Sequence, residues 1–223
     1  MGVFFLARHK KGISALQFQK DTGLGSYQSA WTLLHKLRSG LSALPAPLLA
    51  GKIEADETYI GGYRKGWNGR GAGKVGVAIA VEHRGRTAGF VRLALIPRAT
   101  TAVLTGFVRS AIVPEAATIH TDAWAAYKAL SKMGIDHRPR KGGHGRHEED
   151  GLPWAHTVFG NLETWLRGAY HGVSPKHLQR YLTEFQLPFN ERWNEADPFS
   201  PVLRAAISAD PFPYRLLTAE PTG

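Results

Sequence analysis

The sequence of 223 residues contains no cysteine, which excludes disulfide bonds, cysteine-ligated zinc and a cysteine nucleophile. It also has no apolar run of membrane-spanning length, and the short apolar stretch near its start leads directly into basic residues, unlike a signal peptide. We therefore expect a soluble, cytoplasmic protein without a membrane partner.

The sequence also has few acidic residues: it contains 18 Asp and Glu and 28 Lys and Arg, which gives a formal net charge of +10. The basic residues are spread along the chain, and this indicates a polyanionic partner, most commonly nucleic acid. Hydrophobic residues amount to 43% of the sequence, enough for the core of one large domain or of one medium and one small domain.

Three of the few acids nevertheless lie close together, in residues 52–62, which have the pattern of a β-strand. Alternation places Glu54 and Asp56 on one face of this strand and Glu57 on the other. Ionised carboxylates weaken a strand and resist burial, so their clustering favours a bound divalent cation. A solvated edge strand is the alternative that this stretch leaves open.

A second stretch, residues 118–127, predicts a short strand that ends at Asp122 and passes at once into a helix. Open α/β sheets place their sites at the carboxyl ends of strands, so Asp122 is a second candidate site residue. Capping the following helix is an alternative or an additional role for its side chain.

The remaining periodicity predicts an α/β domain in which three strands form an antiparallel meander and a helix, a strand and a helix follow. The second and third strands are expected at residues 75–82 and 88–97, and the two helices at 100–112 and 123–133. A loop over residues 136–154 comes next, followed by helices at 156–170 and 175–187. Four histidines lie in or next to this loop, and their spacing does not match a metal-ligand motif: His137, His144, His147 and His156. Solvated or DNA-contacting side chains are therefore favoured over a metal site.

The ends of the chain predict simpler structure. Residues 1–41 predict two short helices around Gly23 and Gly25, which resemble a helix-turn-helix or form a plain helical hairpin. Residues 42–50, with two prolines, predict a linker. The large domain is then expected over residues 51–195, and a C-terminal tail with at most one short helix over 196–223.

A glycine-rich, basic loop lies between the first two predicted strands. It carries Arg64, Lys65, Arg70 and Lys74, but Val75 follows the last of these where a P-loop requires Ser or Thr. A hairpin whose charges face DNA is therefore the better interpretation.

Several motifs resemble one known family. They are Asp-Glu-Thr-Tyr-Ile-Gly-Gly at 56–62, His-Thr-Asp at 120–122, Asn-Leu at 161–162 and the long run from Tyr170 to Tyr181. Through these motifs, within a likeness that extends over residues 10–193, the chain is similar to the DDE-type transposases of bacterial insertion sequences, in the ISXO-like group.

The resemblance implies a ribonuclease H-like mixed sheet and an enzyme that cuts DNA at the ends of an insertion sequence and transfers the strands to a target. It implies two Mg²⁺ ions, or Mn²⁺ in their place, held by the catalytic residues Asp56, Asp122 and Asn161. One ion would activate the attacking hydroxyl and the other would stabilise the leaving oxygen. The implied partners are double-stranded DNA and further copies of the same chain, assembled on that DNA.

Glu163 competes with Asn161 for the third position, because helical spacing places the two side chains on opposite borders of the apolar stripe of their helix. The family motif favours Asn161, whereas charge favours Glu163, a position at which the family usually has Lys. Arg167, Lys176 and Arg180 are expected to contact DNA phosphates, which would position DNA without reading its sequence.

The cysteine-rich zinc ribbon that often precedes this domain in the family has no counterpart in the sequence. A truncated copy of a transposase is therefore expected. An inactive DNA-binding remnant is the alternative to an active enzyme, and a structure-selective nuclease on the same fold is a lesser one.

Overall fold

The computed structural model describes residues 1–42, 44–61, 74–140, 151–170, 173–192, 197 and 199–219. The chain forms two compact units. One comprises residues 46–163, and the other joins residues 1–45 to residues 164–223. The first unit is α/β and the second is helical.

The α/β unit is built on a mixed sheet, which has five strands in the part of the chain that the structure describes, in the order β3-β2-β1-β4-β5. The first three strands pair antiparallel, β4 is parallel to β1, and β5 is parallel to β4. The strands are β1 (Leu49–Ile60), β2 (Val75–Arg84), β3 (Thr87–Ile96), β4 (Ile112–Asp122) and β5 (Asp136–Arg140). The order expected for a ribonuclease H-like domain, three antiparallel strands, a helix, a strand and a helix, is thereby confirmed.

The helices of this unit connect and cover the strands. Helix α4 (Thr101–Ala111) joins β3 to β4, and it buries Leu104 and Val108 in the same core as Ile53 and Ile119 of the central strands. A 3₁₀ turn (Ala125–Lys128) and the short helix α5 (Ala129–Lys132) lead from β4 to β5, and helix α6 (Pro153–Tyr170) follows. The apolar faces thus close over the sheet, as binary patterning predicts.

Two expectations for this region differ in detail from the structure. The helix expected over residues 123–133 is a 3₁₀ turn followed by one turn of α-helix, and it ends before Gly134, whose φ of 78° is left-handed. The loop expected over residues 136–154 begins with strand β5. Its five residues lack the apolar alternation of a strand, and their extended form comes from pairing with β4.

The helical unit contains α1 (Gly2–Arg8), α2 (Ala15–Thr22), α3 (Tyr27–Leu41), the second half of α6, α7 (Pro175–Glu191), α8 (Phe199–Ser208) and α9 (Tyr214–Thr218). Val202 and Ala205 of α8 are buried in one cluster with Phe18, Ala30 and Leu34 of α2 and α3. The compact units divide the chain after residues 45 and 163, whereas the expected divisions lay at residues 41, 50 and 195. The C-terminal residues supply part of the core that the N-terminal helices cannot complete alone.

A buried ion pair joins α3 to α7 within the helical unit. Arg38 Nε donates to Glu184 Oε2 over 2.6 Å, and the Tyr170 hydroxyl donates to the other carboxylate oxygen over 3.1 Å. The Arg38 guanidinium also lies over the ring of Tyr181, 4.4 Å from its centroid. Both charged side chains are almost completely buried, so each depends on the other for its solvation.

We expect the substitution Arg38→Met to lower the free energy of unfolding by about 3–5 kcal/mol, because it leaves the Glu184 carboxylate buried and uncompensated. Urea unfolding measures this loss. The double substitution Arg38→Met with Glu184→Met should recover most of it, and Lys36→Met, at an exposed position of the same helix, serves as the control. Equal destabilisation by the single and double variants would contradict the interpretation.

Candidate active site

The parallel pairing of β1 with β4 places the two predicted aspartates side by side. Glu54 lies opposite His120 in this register, and both Asp56 and Asp122 come two residues later on their strands. Neighbouring strands lie about 4.8 Å apart, so the two carboxylates start from adjacent backbone positions. Strand β4 ends at Asp122, which sets this pair at the carboxyl edge of the parallel part of the sheet.

Asp122 also organises the turn that follows it. Its Oδ1 accepts a hydrogen bond from the backbone N–H of Trp124 over 3.1 Å, at the start of the 3₁₀ turn. The side chain therefore closes an Asx-type turn, and the expected N-cap position is taken by Trp124, without a side-chain cap hydrogen bond. The hydrogen bond from Trp124 restrains the Asp122 carboxylate at the end of β4.

A buried phenol lies among the carboxylates. The Tyr127 hydroxyl donates to Glu57 Oε2 over 2.8 Å, and both residues are buried. Burial raises the pKa of Tyr127, and the negative charges of Glu57, Asp56 and Asp122 raise it further. The Glu57 carboxylate is thus held by Tyr127 on the buried face of β1, whereas Asp56 lies on the other face of the strand.

Glu54, two residues before Asp56 on the same face of β1, fixes the start of helix α6. Its Oε2 accepts the backbone N–H groups of Trp154 and Ala155, each over 2.8 Å, and its Oε1 lies 2.6 Å from His83 Nε2. The Glu54 side chain is buried, and it satisfies donors that a helix N-terminus otherwise leaves unpaired. This carboxylate therefore holds the first turn of α6 against β1.

As a consequence, the first turn of α6 brings His156 to the site. His156 Nε2 lies 3.4 Å from Asp56 Oδ2, and the other oxygen of Asp56 accepts the backbone N–H of Glu57 over 2.8 Å. The imidazole remains largely exposed, whereas the Asp56 side chain is only 14% exposed. Sequence reasoning treated His156 as a solvated or DNA-contacting histidine and so missed this position.

The two residues expected to compete for the third position lie elsewhere on α6. Asn161 follows His156 by five residues, so it points about 140° away around the helix, and it is exposed. Glu163 follows by seven residues, so it shares the His156 face but lies about 10 Å further along the axis. The spacing of His156 and Glu163 on one helix face is the signal that could have drawn attention to this face.

The predicted DNA-contacting residues fall into three groups. Arg64, Lys65 and Arg70 lie outside the described residues, and Lys74 is exposed next to the start of β2. Arg167 is exposed on α6. On α7, Lys176 is half-buried. Arg180 Nη1 lies 2.7 Å from His177 Nδ1, and Arg180 Cζ lies 4.8 Å from the centroid of the Phe212 ring. The Arg180 guanidinium is therefore partly engaged in packing.

Two negative findings concern the described residues alone. None of their helices is both long enough and apolar enough to cross a membrane. Within the same ranges, no group of three or more His, Asp or Glu side chains is already arranged as a metal site. The candidate site is therefore a pair of aspartates with His156 beside one of them.

The described sheet thus combines the strand order β3-β2-β1-β4-β5 with Asp56 and Asp122 on the neighbouring strands β1 and β4. The sequence model of the ISXO2-like transposase domain matches residues 48–190, well over half of the chain, so this protein belongs to that family. No curated protein matches it. Among solved structures it is similar to the catalytic core domain of BIV integrase, with 15% identity, a TM-score of 0.41, and coverage of 70% of this chain and 96% of that one.

We expect Glu54→Ala to destabilise the α/β unit by about 1–3 kcal/mol or more, because two buried N–H groups and His83 lose their acceptor. Thermal or urea unfolding measures the loss. Glu54→Gln should be intermediate, since its amide oxygen can still accept from the helix N-terminus. Glu115→Ala, at an exposed position of β4, is the matched control. If Glu54→Ala behaves like this control, the cap does not hold α6 in place.

Proposed function

We propose that this protein is a transposase that catalyses metal-dependent DNA strand cleavage and strand transfer. The observation that carries the proposal is the parallel register of β1 and β4, which sets Asp56 beside Asp122 at a sheet edge. Membership of a transposase family supports the same reaction class. The substrate is then double-stranded DNA, which fits the surplus of basic residues along the chain.

The donor set fits divalent cations that prefer oxygen ligands. Asp56 and Asp122 would hold Mg²⁺ or Mn²⁺ through their carboxylates. When bound, such ions supply Lewis-acid stabilisation of the charge on the attacking and leaving oxygens. We propose His156 as the third residue of the site in preference to Asn161 or Glu163, because its ring nitrogen lies next to Asp56 Oδ2.

The chemistry exchanges one phosphodiester bond for another. In the first step, water attacks a phosphorus atom at the element end, the P–O3′ bond breaks, and a free 3′-hydroxyl and a 5′-phosphate result. In the second step, this 3′-hydroxyl attacks a phosphodiester of the target, and the target strand leaves with its own 3′-hydroxyl. No external energy source is required, because each ester bond that forms in the second step replaces one that breaks.

The residues of this chain position the reactants. The two aspartates repel a phosphate in the absence of cations, so the DNA backbone can approach only a neutralised site. His156 orients the Asp56 carboxylate through its ring nitrogen and limits the directions in which its oxygens point. Lys74, Arg167, Lys176 and Arg180 would bind DNA phosphates, and such contacts position DNA without reading its sequence.

We expect Asp56→Asn and Asp122→Asn each to reduce nicking of supercoiled plasmid in Mg²⁺ or Mn²⁺ to the level without protein. Each variant replaces one carboxylate by an amide of the same shape, and in Asp122→Asn the amide oxygen can still accept the backbone N–H of Trp124. Agarose gels of the nicked product measure the effect. Asp136→Asn, at an exposed acid of β5, is the control. DNA binding without nicking by the wild-type protein would favour the inactive remnant instead.

A second comparison distinguishes the candidates for the third position. We expect His156→Ala to lower Mn²⁺ affinity and nicking by roughly 10- to 100-fold, as loss of a side chain that orients a ligand does. Asn161→Ala, at an exposed position about 140° around the helix, should stay close to wild type. Mn²⁺ binding followed by electron paramagnetic resonance gives a readout that does not depend on turnover. If Asn161→Ala instead loses Mn²⁺ affinity and nicking and His156→Ala does not, the third residue of the site is Asn161, as the family motif predicts.

A further inference from the structure

Helices α2 and α3 form a compact two-helix motif. Helix α2 ends at Gly23, whose φ of 69° is left-handed, and α3 begins after Ser26, whose hydroxyl accepts the N–H of Ser29. The connection is therefore the four residues Gly23 to Ser26. A turn of this length with glycine at its start is typical of the helix-turn-helix, in which the second helix enters the major groove of DNA.

One face of α3 is committed to packing. Ala30, Leu34 and Leu41 are buried with the neighbouring helices, and Arg38 is held by Glu184. His35 lies on the same side, with its ring packed at a tilt against Trp31 and His177. Burial lowers its pKa to about 3, so that it is neutral at physiological pH. This face anchors α3 and leaves no basic side chain on it for a ligand.

The opposite face of α3 is open and polar. Gln28, Ser29 and Lys36 are exposed, Thr32 lies between them, and Leu33 is 37% exposed. Gln28, Thr32 and Lys36 follow at intervals of four residues, so they form one row about 12 Å long, comparable to the width of the major groove. Amide, hydroxyl and ammonium groups are the side-chain groups that bind base edges, and an apolar side chain such as Leu33 can contact a thymine methyl.

The charges around this face suit DNA. Helix α3 contains no acidic residue. Residues 1–45 contain one acidic residue, Asp21, and five exposed basic residues, namely Arg8, Lys10, Lys11, Lys20 and Lys36. Within residues 1–45 the exposed charge is therefore mainly positive, which favours a polyanionic partner.

The C-terminal helix α9 provides one wall of this face. Tyr214 accepts a hydrogen bond from the Gln28 amide over 3.2 Å, and together with α3 it lines a groove of about 400 Å³, the other lining residues being Ser29, Thr32, Leu33 and Lys36. The groove opens along the polar row. Tyr214 thus holds the Gln28 amide at one end of the row, where its orientation decides which base edge it can read.

We propose that α3 is a recognition helix whose exposed row, Gln28, Thr32 and Lys36, reads the sequence of double-stranded DNA in the major groove. The proposal deepens the proposed function, from which it takes DNA as the partner, and it concerns a surface separate from Asp56 and Asp122. Gln28 and Thr32 carry the sequence preference. Lys36 contributes mainly charge.

The test uses the full chain and a pool of randomised duplex DNA, from which bound sequences are selected and read. We expect the wild type to select a defined sequence. Gln28→Ala should lose roughly tenfold in affinity for it and relax the preference at one position. Lys36→Ala should weaken binding to all sequences and reduce the salt dependence of binding by about one ion, whereas Lys128→Ala, exposed in the 3₁₀ turn of the α/β unit, should not change the sequence preference.

The outcomes distinguish the proposed recognition helix from the proposed cleavage and strand-transfer activity. Asp56→Asn should select the same sequence as the wild type, so sequence-specific binding without nicking would leave the recognition helix standing and overturn the enzyme. Nicking with no selected sequence, or an unchanged preference in Gln28→Ala, would overturn the recognition helix alone. A shift of Leu33→Asp to a smaller species in size-exclusion chromatography would identify the face as a contact between copies and also overturn it.

Discussion

The α/β unit depends on the buried carboxylate of Glu54. This one side chain accepts two backbone N–H groups at the start of α6 and contacts His83 from β2, so it ties together a helix and two strands. An ionised group in this position is tolerated because each oxygen has donors, and the positive end of the helix dipole lies next to it. The position of every later side chain on the first turns of α6 follows from this contact.

The acidic side chains of the site therefore have two different roles: one holds the structure together, and the other two supply negative charge. Glu54 belongs to the scaffold, since its contacts with His83 and with the start of α6 stabilise structure. Asp56 and Asp122 carry the negative charge of the candidate site on neighbouring strands, whereas Tyr127 is buried beside Glu57 and has a pKa raised mainly by that burial. Such a site gains from cations and is poorly suited to phosphate without them.

Local sequence patterns predicted the strands of Asp56 and Asp122, because alternation and an aspartate at a strand end are signals within a few residues. They did not predict β5, whose residues Asp136 to Arg140 are extended through pairing with β4. They also did not predict the position of His156 beside Asp56, since this position depends on a contact between Glu54 and residues about a hundred positions later. The joining of α8 to α3 is also non-local, and periodicity carries no information about such pairings.

Strand β5 has a consequence for how the sheet meets other molecules. It lies at one end of the described sheet, is five residues long, carries Asp136, Arg138 and Arg140, and contains Pro139, which has no N–H to donate. Short, charged, proline-containing strands are poor templates for a further strand, and they protect proteins against edge-to-edge aggregation. Association of two copies by strand pairing at β5 is therefore disfavoured, because this border of the sheet resists extension by another chain.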